Sequence, residues 1–285
     1  MNAESLNRLD EKVGVKTLRH LNHNALPVAA TKVGSLQSAV AYLEEYAEYY
    51  RLSVEDRKNL PMPLPRQDQP LGEAASYRLE AEKSVMGTTT VVFVQTFAGF
   101  PIWEAGLSVT IDMAKRRILA SVSTTFDEIR LSVPKKLPAE LSVSAVEAAL
   151  GLSARKSPKK QGIRIYSERT LVYYFEEKKR TLAPLPTSEK PAAAEAAHLH
   201  PAEPFVLPLA RLPRSIKDGS FYFVRELIFH YPLPATPTLM WRAFVELRTG
   251  AVQAARPYTW ERCAAQTLDV YRTLCGAKQP ERQAA

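Results

Sequence analysis

The sequence predicts an α+β protein with antiparallel sheets, helices packed on one face, and two modules. Three observations carry this reading. Residues 88–124 read TTTVVFVQTFAGFPIWEAGLSVTIDMAKRRILASVST, with long stretches that alternate side-chain type at a period of two. That alternation puts one set of side chains on each face of a strand. Residues 35–50 place Leu36, Val40, Leu43, Ala47 and Tyr50 at helical spacing behind Ser35, a residue type that caps helix N-termini. The same order, helix and then strands, returns after the proline-rich stretch 133–138.

Taken in order, residues 1–34 have weak periodicity and read as an extended arm. The first module, 35–134, starts with the helix at Ser35. A second, short helix follows at Ser53-Val54-Glu55-Asp56, which fits a capping box. Pro61, Pro63, Pro65 and Pro70 end it and stiffen the connection. Four hairpin-linked strands then span 76–83, 88–97, 107–112 and 117–124, with Met86-Gly87 as a turn. Gly99 and Pro101 are assigned structural roles between the second and third strands. Glycine permits backbone angles closed to other residues, and proline fixes φ and removes a donor.

The second module, 135–258, opens with another capping box, Ser144-Ala145-Val146-Glu147, a helix over 145–150 and a stop at Gly151. Strands follow at 163–166 and 171–175. Residues 181–204 are rich in Ala, Pro and Glu and read as a mobile insertion. Strands resume at 221–231 and 239–247, and Arg248-Thr249-Gly250 turns the chain into 251–254. Thr249 and Gly250 are therefore also structural. Over 259–285, Trp260, Ala264, Leu268, Tyr271 and Cys275 share a helical face ahead of a tail.

Composition narrows the chemistry. The 285 residues carry a formal charge of +8 and a pI near 9.4, but the basic residues are scattered. The densest cluster is Arg155-Lys156-Ser157-Pro158-Lys159-Lys160. Charge alone supports a nucleic-acid partner, and a solvated loop explains it better. The two cysteines, Cys263 and Cys275, make no disulfide framework and have no histidine neighbours. None of the five histidines is followed by Glu, so no H-E-x-x-H zinc motif occurs. His198-Leu199-His200 lacks further ligands at metal spacing. No phosphate-binding glycine loop and no G-x-S-x-G elbow is present. The expectation is no catalytic residue, no metal and no cofactor. His20 and His23 read as exposed polar residues, and His230 as a core or interface histidine. Tyr173, Phe175, Tyr222, Phe223 and Trp241 read as core. No apolar run approaches the ~20 residues of a membrane span, and residues 1–16 carry no signal-peptide core. The compartment stays open.

Val94-Gln95-Thr96-Phe97-Ala98-Gly99-Phe100-Pro101-Ile102-Trp103 resembles a segment of the FTP module, found in propeptides of fungalysin-type and thermolysin-type metalloproteases. Residues 171–174, 240–246 and Thr249-Gly250-Ala251-Val252 resemble the PepSY module that follows FTP there. The likeness spans roughly 35–258. The chain departs from the pattern at Glu104-Ala105-Gly106, where a small residue usually follows the aromatic, and at Glu246-Leu247, where Asp-Ala is usual. The resemblance implies two propeptide-like modules without their enzyme. It implies a non-catalytic chain that binds another protein, a metalloprotease inhibited or assisted in trans. Gln95, Phe100, Trp103 and Glu104 form the candidate partner surface, with Trp103 either buried in the core or an exposed anchor. The alternatives are a scaffold that reuses the fold outside proteolysis and a basic nucleic-acid-binding module.

Overall fold

The N-terminal segment expected as an arm is a β-hairpin. In the computed structural model, which describes residues 7–23, 28–30, 32–65, 69–137, 143–149, 163–180, 211–230, 240–249 and 252–258, Asn7–Val13 (β1) pairs antiparallel with Lys16–Asn22 (β2), from Asn7↔Asn22 to Val13↔Lys16. Gly14, at φ +63, opens the two-residue loop between them. Hydrophobicity conceals this hairpin. β1 is largely exposed, and the inward positions of β2 include the polar Thr17 and Arg19.

The chain divides into two units, Met1–Leu137 with Thr170–Tyr173, and Pro138–Arg169 with Tyr174–Ala285. In the first, the remaining elements are β3 (Val28–Ala29), α1 (Ser35–Glu45), α2 (Ala47–Tyr50), α3 (Val54–Asn59), β4 (Ala75–Val85), β5 (Thr88–Phe97), β6 (Phe100–Asp112) and β7 (Arg117–Phe126). The strands run antiparallel in the order β1-β2-β7-β6-β5-β4, and β3 pairs with β7 at Ile118 and Arg117, beyond the reach of β2. Ala39, Tyr42 and Leu43 of α1 form one apolar cluster with Val91 and Phe93 of β5 and Val109 and Ile111 of β6. Gly34, not Ser35, is the N-cap of α1, and Ser35 Oγ donates to a Glu82 carboxylate. Ser53 caps α3 as a full box. Its Oγ accepts from Asp56 N at 3.0 Å, and Asp56 Oδ2 accepts from Ser53 N at 3.0 Å.

The second unit holds α4 (Val143–Ala149), β8 (Arg164–Phe175) apart from its residues 170–173, β9 (Ser220–His230), β10 (Met240–Glu246) and β11 (Val252–Tyr258), with strand order β8-β9-β10-β11. β10 pairs antiparallel with both neighbours. α4 begins at Val143, so Ser144 lies inside the helix and not ahead of it. The two short strands expected at 163–166 and 171–175 are one, β8. Trp241, Phe229 and Phe244 are fully buried. Beside them Glu226 is buried and ion-paired with Arg169 and with Arg242, the latter at 2.9 Å. A buried carboxylate held by two guanidinium groups avoids the cost of an unpaired internal charge.

The expected α+β class is corrected: the protein is mostly β. Among the described residues eleven strands stand against four α-helices, the longest of 11 residues and the second of the chain only four. The physical reason lies in strand length. β6 runs 13 residues and β8 runs 12, and segments read as an arm or as loops continue the ladder. The insertion 181–204, the basic cluster 155–160, Gly250 and the helix expected over 260–275 with both cysteines lie outside the described residues. Among the described residues, no helix is long and apolar enough to cross a membrane.

Candidate functional site

β2 and β7 lie side by side with Thr17 opposite Thr125, Arg19 opposite Ser123 and Leu21 opposite Ser121. The small hydroxyl residues on β7 leave depth beneath the helices, and larger polar groups fill it. Tyr42 of α1 and Tyr50 of α2 both reach Ser121 Oγ, at 2.7 and 2.5 Å. His23 Nε2 lies 2.7 Å from the Tyr42 hydroxyl. Burial pushes both phenols above their ordinary range, so they stay protonated and act as hydrogen-bonding hydroxyls.

The same face opens into a cavity of about 370 Å³ whose lining includes Arg19, Tyr50, Tyr77, Gln95, Thr125 and Asp127. Arg19 is 1% exposed. Its Nε lies 3.5 Å from Asp10 Oδ1, an ion pair across β1 and β2, yet neither Nε nor Nη2 has a hydrogen-bond partner. Burial and the nearby Asp56 carboxylate raise the Tyr77 hydroxyl above its usual range, against the opposing pull of Arg19. The carboxylates around the cavity differ in how they are engaged. Asp56 is held in the Ser53 box. Asp127 accepts from Thr17 Oγ1 at 2.7 Å and lies 3.9 Å from Arg51. Glu73 is exposed at the mouth. Among the described residues, no group of three or more His, Cys, Asp or Glu could hold a metal ion. The arrangement is suited to binding: a fixed cation, neutral hydroxyl and amide groups, and carboxylates around them.

The predicted site residues scatter in role. Phe97 and Phe100 pair across a two-residue turn in which Ala98 and Gly99 have φ +51 and +82. Such signs at both central positions mark the turn that suits strand twist. Val94 then pairs with Gly106 and Thr96 with Pro101, so residues 102–105 of β6 bulge away opposite Gln95. Gln95 fills the gap. Its Nε2 donates to Phe126 O at 2.9 Å, and its Oε1 accepts from Phe126 N at 3.0 Å. Gln95 is 5% and Phe100 1% exposed, so neither offers its side chain to a partner. Trp103 is half-buried and Glu104 exposed. Glu104, at φ +54, carries the bulge, and Lys16 Nζ donates to its carbonyl at 3.1 Å. Pro101 is buried. In the second unit, Glu246 is buried and its Oε2 accepts from Thr249 N at 2.6 Å and Thr249 Oγ1 at 2.5 Å.

Arg19 escaped the sequence reading because a charged residue occupies an inward strand position. The usable signal is the Val13-Gly14-Val15 turn flanked by segments of equal length. His20 and His23, expected as exposed, are both buried, and His230 is half-buried in β9. Burial holds His20 and His23 below the ordinary 6.5, with the charge of His20 adding to the effect on His23. The folded chain thus binds these protons more weakly than the unfolded chain does. Stability is complete above pH 6.5, the unfolded value, and falls as pH drops towards the folded values. The urea midpoint of the wild type should decline through this window, and His23→Gln should flatten part of the slope. A wild-type midpoint unchanged from about pH 7 to about pH 5 contradicts this assignment.

No family model matches the chain, and no curated protein matches it. Among solved structures, the Bacillus megaterium YpeB C-terminal domain is similar over 89% of this chain and 89% of its own, at 7% identity and a TM-score of 0.31. A likeness that weak establishes neither a family nor a function.

Proposed function

We propose that this chain is a non-catalytic protein-binding module that takes an extended segment of a partner protein against the outer edge of β1. The supporting observation is the pairing of β1. All seven of its residues pair with β2, and no described strand lies on its other side. In a hairpin closed by a two-residue loop, Val13 and Lys16 form the hydrogen-bonded pair, so Arg8, Asp10 and Lys12 turn their N–H and C=O groups outward. A free row of backbone donors and acceptors recruits a partner strand. The charges of Arg8, Asp10, Glu11 and Lys12 discourage indiscriminate self-pairing and select among partners. The resemblance of residues 94–103 to a propeptide segment makes a thermolysin-type metalloprotease the first partner to test. Lacking H-E-x-x-H, the chain is read as binding without cutting.

The test uses Lys12→Pro, which removes one outward donor and leaves the ladder to β2 intact. The wild-type chain should inhibit a thermolysin-type protease saturably. The variant should keep its thermal midpoint and lose the inhibition. Undiminished protease activity at saturating wild-type chain, or equal inhibition by Lys12→Pro, sinks the proposal.

A further inference from the structure

We propose that one end of the first unit's sheet docks on an anionic lipid bilayer, with the turn between β4 and β5 entering the headgroup layer. Val85 pairs with Thr88, so Met86 and Gly87 form a two-residue hairpin turn, with φ +48 and +80. Asparagine, aspartate or glycine suits the first of these positions. Methionine there adopts a left-handed backbone that its Cβ disfavours. Its side chain is 100% exposed, and Val85 beside it is 63% exposed. The fold gains no packing from this turn. A strained apolar residue that supports nothing inside the chain points to a contact outside it.

Positive charge surrounds the turn. Thr88 pairs with Asp112, and Asp112 with Arg117, so the turn over 113–116 lies beside the one at Met86-Gly87. Ala30 N donates to Arg116 O at 2.8 Å and Ser35 Oγ donates to Glu82, which carries residues 32–34 across the same end of the sheet. Lys32, Lys83, Lys115, Arg116 and Arg117 therefore collect there, all but Arg117 exposed, and Val33 among them is 88% exposed. Two carboxylates offset part of that charge. Asp112 Oδ2 lies 3.8 Å from Arg117 Nε and 3.9 Å from Lys115 Nζ, and Glu82 accepts from Ser35. Cations set around protruding apolar side chains match an anionic lipid surface. Lysine and arginine meet the headgroups, while Met86, Val85 and Val33 reach the acyl boundary. A single-stranded nucleic acid fits less well, because it calls for aromatic rings that stack on bases, and none of these residues is aromatic.

Vesicle flotation of the full chain is the test. Phosphatidylcholine vesicles containing about one third phosphatidylserine should carry the chain upward, and pure phosphatidylcholine vesicles should not. Salt should weaken the association, since the screening length falls from about 10 Å at 0.1 M to about 3 Å at 1 M. Met86→Asn should weaken vesicle binding about tenfold through lost apolar burial. It should also hold or raise the thermal midpoint, because asparagine suits the turn better. Lys83→Ser combined with Lys115→Ser should weaken binding about tenfold or more at low salt. Val15→Asn is the control. It lies in the β1–β2 turn, at the end of the sheet where Lys16 pairs with Phe126, and should bind as the wild type does. The lipid comparison and the salt series need no variant, so a misfolded variant leaves the test intact. No flotation with phosphatidylserine, equal flotation with pure phosphatidylcholine, or undiminished binding by Met86→Asn overturns the proposal. A mixed-sequence oligonucleotide that binds more tightly than the vesicles, with no dependence on Met86, overturns it too and assigns the patch to nucleic acid.

Discussion

Gly106→Ala is expected to destabilise the first unit by about 3 kcal/mol or more, at the upper end of overpacking effects. Gly106 sits in β6 with Val94 on one side and Thr124 on the other. A Cβ there would lie 2.2 Å from the Phe93 carbonyl oxygen and 3.1 Å from Val94 Cα. Both are backbone atoms in the middle of the sheet, so no side-chain rotation can relieve the overlap. β5 must move, and the adjacent core residue Phe93 must move with it. Gly87 is the control. It has φ +80 but nothing within 4 Å of its would-be Cβ, so Gly87→Ala should cost only the left-handed strain, about 1–2 kcal/mol. Urea unfolding of the two variants decides the matter. A Gly106→Ala loss no larger than that of Gly87→Ala would mean that β5 and β6 separate freely at the bulge.

Gln95→Leu is expected to be the second large effect. Where β6 bulges away, the Gln95 amide supplies hydrogen bonds to both backbone groups of Phe126. Leucine fills similar volume and strands a buried N–H and a buried C=O, each at about 1–3 kcal/mol. Gln95→Glu gives a sharper reading. The introduced carboxyl can accept from Phe126 N in either state, but it can donate to Phe126 O only when protonated. Its folded pKa is therefore raised, and its share of stability is present at low pH and lost as pH rises through that value. Relative to wild type, Gln95→Glu should be weakest near neutrality and recover on acidification. A deficit independent of pH would show that the clasp is replaceable by water.

The sequence marked β5, β7 and the strands of the second unit because their periodicity or β-branched and aromatic content follows local rules. It also located the Ser53 box, whose two end residues, Ser53 and Asp56, satisfy each other without help. It ranked Gln95 and Phe100 with a partner surface, yet both are buried. The reason is that a polar side chain next to aromatics reads alike whether it meets a partner or a neighbouring strand. Whether Gln95 meets solvent depends on where β6 leaves the ladder and on how near Phe126 of β7 comes, 31 positions later.

The β1–β2 hairpin and Arg19 show the same limit from the other side. β1 is mostly exposed and carries little apolar content, and Arg19 occupies an inward position where a pattern reader expects an aliphatic residue. The sequence by itself determined the turn at Met86-Gly87 and the extended stretches of β5 and β7, because those depend on glycine and on alternation within a few residues. Tertiary structure alone decided that the class is mostly β and that Arg19 is buried. It also decided that Gly106 has no room for a methyl group. Each of those is set by backbones from distant parts of the chain approaching one another, and no local run of residues encodes such a distance.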